Sequence, residues 1–214
     1  RIDHGPEGFR RCLAAAGVGF LFAPLYHPAF KAVAGVRKLL AAKGVRTIFN
    51  LIGPLLNPAR PQCQMVGVFS HPLCPVFAEI LQRLGRESAW VVHGTTGDGR
   101  SVDEVSLLGP TRICKAGTIE ELADEEVRPQ DFGMRLAGTE ELTGGNAATN
   151  AAILESVLNG DEQGPKRDMV LINAGTAIAC AGLADDIGGG VELARDVLDG
   201  GGALERLRLL QKAG

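Results

Sequence analysis

The chain has 214 residues, with 45% hydrophobic and 22% charged residues and a net charge of −3, which suits one large globular domain or two small ones with a sizeable core. No basic tract or Arg/Lys-rich helix appears, which speaks against nucleic-acid binding, and no apolar run reaches the ~18 residues of a membrane span. Residues 1–12 are charged and helix-like rather than a signal peptide, and five scattered cysteines without a CxxC spacing read as reduced thiols of a cytoplasmic protein, not as a disulfide framework or a zinc site.

Residues 6–16 predict a short helix, with Pro6 in its first turn and Gly17 as its stop. Phe20-Leu21-Phe22 reads as a short buried run. From His27-Pro28 a helical pattern extends to about Ala42 and ends at Lys43-Gly44. Residues 45–62 are apolar but broken by Gly53, Pro54 and Pro58, and predict a compact, partly buried loop with a helical turn. Gln64 to Phe69 reads as a strand, 75–84 as an amphipathic helix stopped by Gly85, and Ala89 to Val92 as a buried strand running into His93-Gly94 and a glycine-rich loop.

Further on, Arg112 to Lys115 and Ile119 to Leu122 predict a hairpin about Ala116-Gly117. Ala147 to Leu158 reads as a helix capped by Gly160, and Met169 to Leu183 as an apolar, Ala-rich helix. Val191 to Leu198 and Ala203 to Gln211 give two more. Gly188-Gly189-Gly190 and Gly200-Gly201-Gly202 lie between these last segments and read as helix ends, because neither follows a strand in the manner of a phosphate loop. Strands alternating with helices predict an α/β sheet covered by helices, with residues 1–214 as one α/β domain portion.

Two places carry candidate chemistry. On a 100° wheel Phe30, Val33, Ala34, Arg37 and Leu40 share the apolar side of the second helix, while Lys31, Gly35 and Lys38 share the solvated one. Arg37 is therefore a guanidinium on an apolar face. It needs either an internal carboxylate or an anionic ligand, whose carboxylate its planar fork would match. His27, just before that helix, caps it, sits in the core, or offers a donor at a pocket mouth. The second place is the loop HGTTGDGRSVDE at 93–104, which follows a buried strand. Asp103 and Glu104 at its end are either part of a solvated acidic loop or a holder for Mg²⁺ on a pyrophosphate; Asp98 is a competing ligand.

The run FLFAPLYHPAFK at 20–31, Val36-Arg37-Lys38, and RTIFNLIGPLLNP at 46–58 resemble the anthranilate phosphoribosyltransferase family. QMVGV at 64–68, VVHG at 91–94, Asp103-Glu104, Gly144-Gly145 with Asn150-Ala151, and Asn173-Ala174 follow in the family's order. The resemblance implies a central mixed, mainly parallel sheet flanked by helices, as in the nucleoside phosphorylase/phosphoribosyltransferase fold without its small helical domain. It implies transfer of the phosphoribosyl group of phosphoribosyl pyrophosphate (PRPP) to anthranilate in tryptophan biosynthesis, with Mg²⁺ as cofactor and a homodimeric parent. Residue by residue, it implies anthranilate contacts at Arg37, His27, Gly53 and Pro54, and Mg²⁺ ligation by Asp103 and Glu104. No nucleophilic residue is implied.

The sequence departs from the family in a longer loop before Asp103-Glu104 and in Phe30 where a methionine is usual. The family's GTGGD and KHGN segments, which belong to its phosphate and ribose site, are not in this sequence, so the expectation is a portion of a longer enzyme, nearly inactive alone. A related phosphoribosyltransferase or pyrimidine nucleoside phosphorylase, and a non-catalytic α/β fragment, are the rival readings.

Overall fold

A computed structural model of the chain describes residues 3–27, 30, 32–45, 47–119 and 121–214. Pro28 and Lys31, expected at the start and on the solvated side of the second helix, lie outside the described residues, as does Arg46. The described chain forms two compact units, one of residues 1–59 with 202–214 and one of residues 60–201.

In the first unit, α1 (Pro6–Ala16) starts with Pro in its first turn and stops at Gly17, whose φ of 70° an L side chain would resist. It buries Gly8, Cys12 and Ala16 and packs on α9 (Gly202–Ala213), the last helix of the chain. Between them in sequence come α2 (Ala23–Tyr26), α3 (Ala34–Ala42) and two 3-10 turns, Ile48–Asn50 and Gly53–Leu56. The turns are the compact loop expected from the broken apolar run. Phe20 departs from expectation: it is 52% exposed, and Leu21 and Phe22 are only half-buried.

The second unit is built on a five-stranded sheet of order β1-β2-β4-β5, with β3 also on β2. The strands are β1 (Cys63–Gly67), β2 (Ser88–Thr95), β3 (Ser101–Val102), β4 (Thr111–Ala116) and β5 (Ala123–Val127). The mixed sheet flanked by helices is present, with a different balance of directions. Only β1 and β2 run parallel; β2–β3, β2–β4 and β4–β5 are antiparallel. The implied mainly parallel character is therefore corrected for the described residues. The antiparallel pairings arise because the chain leaves β2 by a short loop and returns without a crossover helix.

β2 is buried from Ser88 to Gly94, as its unbroken apolar run requires of a strand covered on both faces. Helix α4 (Leu73–Arg83) buries Cys74, Phe77, Ala78 and Leu81, a single helical stripe, against β2 and β4. Its Cys74 thiol meets Cys114, which lies across from Val91. Helix α7 (Pro165–Cys180) meets Ser88 through Cys180 at 3.7 Å. Ser88 and Val91 are three residues apart and point to opposite faces, so α4 and α7 cover the two sides of the sheet. The short helix α5 (Thr139–Leu142) and α6 (Ala147–Asn159) precede α7, and α8 (Ile187–Asp199) packs on it. None of the five cysteines forms a disulfide, and burial raises the Cys74 thiol to about 12 and the Cys114 thiol to about 11. Among the described residues no helix is long and apolar enough to cross a membrane.

Candidate functional site

The first unit carries a pocket of about 430 Å³ between α2, α3 and the two 3-10 turns. Local chemistry shapes it. Thr47 opens the first turn: its N–H donates to Asn50 Oδ1 at 2.8 Å and its carbonyl accepts the Asn50 N–H at 2.9 Å, which fixes the backbone around Phe49. Phe49 then meets Phe30 edge-to-face at 5.3 Å between centroids, and Phe30 meets His27 the same way at 5.3 Å. The His27 backbone ends α2 by donating its N–H to Ala23.

Into this aromatic lining projects Arg37. Its guanidinium carbon lies 5.6 Å from the Phe30 centroid and 5.9 Å from that of Phe49, near the cation–π range. No described carboxylate pairs with Arg37, and none lines the pocket. The internal ion pair left open by the sequence is thus not formed among the described residues. Gly53 lines the same pocket, and its Cβ position is open space. Pro54, the next residue of that turn, is exposed and outside the pocket lining. The cavity has the shape and charge to take a flat aromatic acid, its ring against phenyl groups and its anion on the guanidinium.

Asp103 and Glu104 belong to the second unit, where they line a concavity of about 470 Å³ with Met65, Gly67, Met169 and Asn173. Two glycines let the acidic segment lie against the ends of the strands. A Cβ on Gly67 would fall 1.6 Å from the Asp103 carbonyl oxygen, and one on Gly94 would fall 2.5 Å from that of Glu104. Partial desolvation raises the Glu104 carboxyl above its usual value, and the neighbouring charge of Asp103 adds to the rise. Two like charges held side by side favour a cation. No group of three or more His, Cys, Asp and Glu suited to a metal occurs among the described residues, so a closed protein cage is not available. Two carboxylates do fit Mg²⁺, which keeps oxygen ligands from water and phosphate.

Asp98 is occupied elsewhere. It accepts from Thr96 Oγ1 and from Arg100 Nε at 3.0 Å, closing the turn between β2 and β3, and these bonds lower its carboxyl. It does not line the concavity. His93 is also internal: it is 4% exposed, and its Nδ1 meets the Val68 carbonyl at 2.8 Å, which ties β2 to the end of β1.

Three site features escaped the sequence reading. Phe49 was visible only as part of a motif; the signal available was the Thr-x-x-Asn cap that orients it. Gly67 and Gly94 were visible as motif glycines without a reason. Asn173 was visible as a motif residue, and nothing in its apolar helix pointed to the acidic loop.

The comparisons with known proteins agree on one lineage. Residues 1–204 match the family model described as the glycosyl transferase family, a/b domain. An anthranilate phosphoribosyltransferase of Haloferax volcanii is 43% identical over 212 residues, 99% of this chain and 61% of its own length. The crystal structure of the anthranilate phosphoribosyltransferase of Thermus thermophilus superposes with a TM-score of 0.85 at 38% identity, covering all of this chain and 60% of that one. The Saccharomyces cerevisiae enzyme in complex with PRPP and Mg gives a TM-score of 0.79 at 28% identity over 91% of this chain and 54% of that one. The chain therefore spans about 60% of the length of the curated relatives it matches.

Proposed function

Because the chain belongs to the glycosyl transferase family, a/b domain, we propose that it serves an anthranilate phosphoribosyltransferase, joining the amine of anthranilate to the phosphoribosyl group of PRPP in tryptophan biosynthesis. The observation that carries this reading is the Arg37 pocket: an aromatic-lined cavity with a guanidinium that has no described carboxylate partner. The names of the relatives support the same substrate pair. Mg²⁺ as cofactor, a homodimeric assembly and a cytoplasmic compartment belong to the same proposal; the Mg in the yeast complex supports the first.

In this reading Arg37 grips the anthranilate carboxylate while Phe30, Phe49 and His27 hold the ring, and Gly53 furnishes backbone close to it; Pro54, outside the lining, makes no direct contact with the ligand in this reading. That orients the amine before reaction, when positioning is worth most. The amine nitrogen bonds to the anomeric carbon of the ribose, the carbon–oxygen bond to pyrophosphate breaks, the pyrophosphate leaves with the electron pair, and the nitrogen gives up one proton, which solvent or the departing pyrophosphate takes. Asp103 and Glu104 would hold Mg²⁺, which when bound supplies positive charge to the leaving group. No residue of the chain needs to act as a nucleophile.

The test is Arg37→Ala in the full-length protein, with both substrates varied. The change removes a charge-assisted hydrogen-bond pair of about 1.5–3 kcal/mol. Expected is a loss of about 10- to 100-fold in kcat/KM for anthranilate with little change in the KM for PRPP. Arg37→Lys, which keeps the charge without the fork, should fall between. Equal losses toward both substrates would remove Arg37 from the anthranilate site.

A further inference from the structure

The acidic pair has a third support besides its two glycines. Asn173 projects from α7, and its side-chain oxygen accepts the Val105 N–H at 2.9 Å. Its side-chain nitrogen donates to the Val105 carbonyl at 2.9 Å and to Met169 O at 3.0 Å. Both amide hydrogens are thereby used, so the NH₂ group has no donor left for a substrate. The pair of bonds to Val105 acts as an amide-to-backbone clamp on the residue directly after Glu104. Val105 itself is fully buried, so the clamp sits on a fixed point. Gly67 and Gly94 seat the carbonyls of Asp103 and Glu104 against β1 and β2, while Asn173 holds the following residue against α7.

We infer that Asn173 is a positioning residue for the Asp103-Glu104 pair, holding the two carboxylates in register for a cation through the backbone of Val105. This rests on the reading of those carboxylates as the Mg²⁺ holders. The physical basis is the like-charge repulsion between neighbours on one short segment. Left to itself, the segment would relax by turning one carboxylate away. A backbone clamp on one side and two close glycine contacts on the other deny it that freedom. The cost is met by burial of Val105 and by a fully satisfied amide.

The experiment uses the full-length protein, with Mg²⁺ and inorganic pyrophosphate as the probe in titration calorimetry. Asp103→Asn and Glu104→Gln serve as reference variants. Asn173→Ala is expected to lower affinity for Mg²⁺ with pyrophosphate by about 10- to 100-fold, the range typical of a partner that orients metal ligands. It should raise the KM for PRPP and leave the KM for anthranilate unchanged. Raising Mg²⁺ should restore the KM for PRPP, which a merely destabilised protein would not show. The Val105 amide should lose its protection from hydrogen exchange. If Asn173→Ala does not fold by circular dichroism, Asn173→Ser, which loses less volume and keeps a polar group, is judged on the same criteria. Wild-type affinity in the Asn173 variant beside weakened reference variants would overturn the positioning role alone. Wild-type affinity in the reference variants would overturn the metal-site reading, and this inference with it.

Discussion

Arg135 donates to both carboxylate oxygens of Glu141, at 2.5 and 3.0 Å, and the Gly138 N–H adds a third bond at 2.8 Å. Together these hold the Glu141 carboxyl at about 2, against an ordinary 4.5. A carboxyl depressed on folding stabilises the protein above its unfolded value, and the benefit is lost as pH falls through the folded one. The stabilisation should be complete above pH 4.5 and vanish toward pH 2. Glu141→Gln removes it, so wild type and variant should differ in urea midpoint at neutral pH and converge in acid. The pair is exposed, so the difference will be small. Parallel midpoints across that window would show the pair to be inert. Residues of this kind, whose effect depends on a neighbour six positions away in a loop, have no sequence signature. Arg37 did have one: seven residues after Phe30, it falls on the same side of the helix expected from His27, and the pocket places both in its lining although α3 begins only at Ala34, after Phe30. Phe49 comes from a segment without a period, and Asn173 is an amide in an Ala-rich helix. Their partners are brought by the fold from elsewhere in the chain.

Element boundaries show where local pattern yields to tertiary contact. Two strands about Ala116-Gly117 were expected, and β4 is there, but the return strand is Ala123–Val127 rather than 119–122. After β4 the backbone docks on the segment before β2: Thr118 N–H donates to Arg86 O, and a Cβ on Gly117 would meet Glu87 O at 2.0 Å. The chain cannot turn there, and Ile119 and Leu122 stay exposed. The true strand, ADEEV, reads as a polar loop. It is held on basic β4 by Arg112–Asp124 at 2.5 Å and Lys115–Glu125 at 2.8 Å, charges that also suit an edge. Likewise Gly188-Gly189-Gly190, expected at a helix end before a helix from Val191, lie inside the first turn of α8. Asp186 caps that helix by accepting the Gly189 N–H at 2.8 Å. Gly190 has a packing reason: its Cβ would lie 2.2 Å from Gly175 O, and one on Gly175 would lie 2.5 Å from Val191 N. The α7–α8 crossing is backbone on backbone. Gly175→Ala should therefore destabilise by about 1–3 kcal/mol despite better helix propensity. Gly189→Ala, whose Cβ meets nothing closer than 3.6 Å, should instead stabilise by about 0.5–1 kcal/mol. Thermal unfolding distinguishes them by sign, and a stabilising Gly175→Ala would show that the crossing can open.

At the scale of the whole molecule, the two units differ in how they are strung. Residues 60–201 form one uninterrupted stretch holding all five strands, α4 to α8, and the acidic pair with Gly67, Gly94 and Asn173. The other unit joins the two ends of the described chain, because α1 buries Cys12 and Ala16 in packing on α9. Only the alternation of strands and helices was legible at this scale; a pairing of first and last helices leaves no trace in either helix's own pattern. The stringing sets what each stretch can do alone. Residues 60–201 carry a buried sheet whose core includes Val91, Leu107, Ile113, Leu171 and Ile172. Expressed alone, they should melt cooperatively and keep the Val105 amide protected by Asn173. Residues 1–59 alone lose α9 as the cover for α1 and should show no cooperative transition; adding 202–214 through a flexible linker should restore one. The loop to be closed costs little, since each doubling of its length adds only about 0.6 kcal/mol. A cooperative transition in residues 1–59 without 202–214, or a non-cooperative one in 60–201, would show that the folding units are not those drawn by the packing.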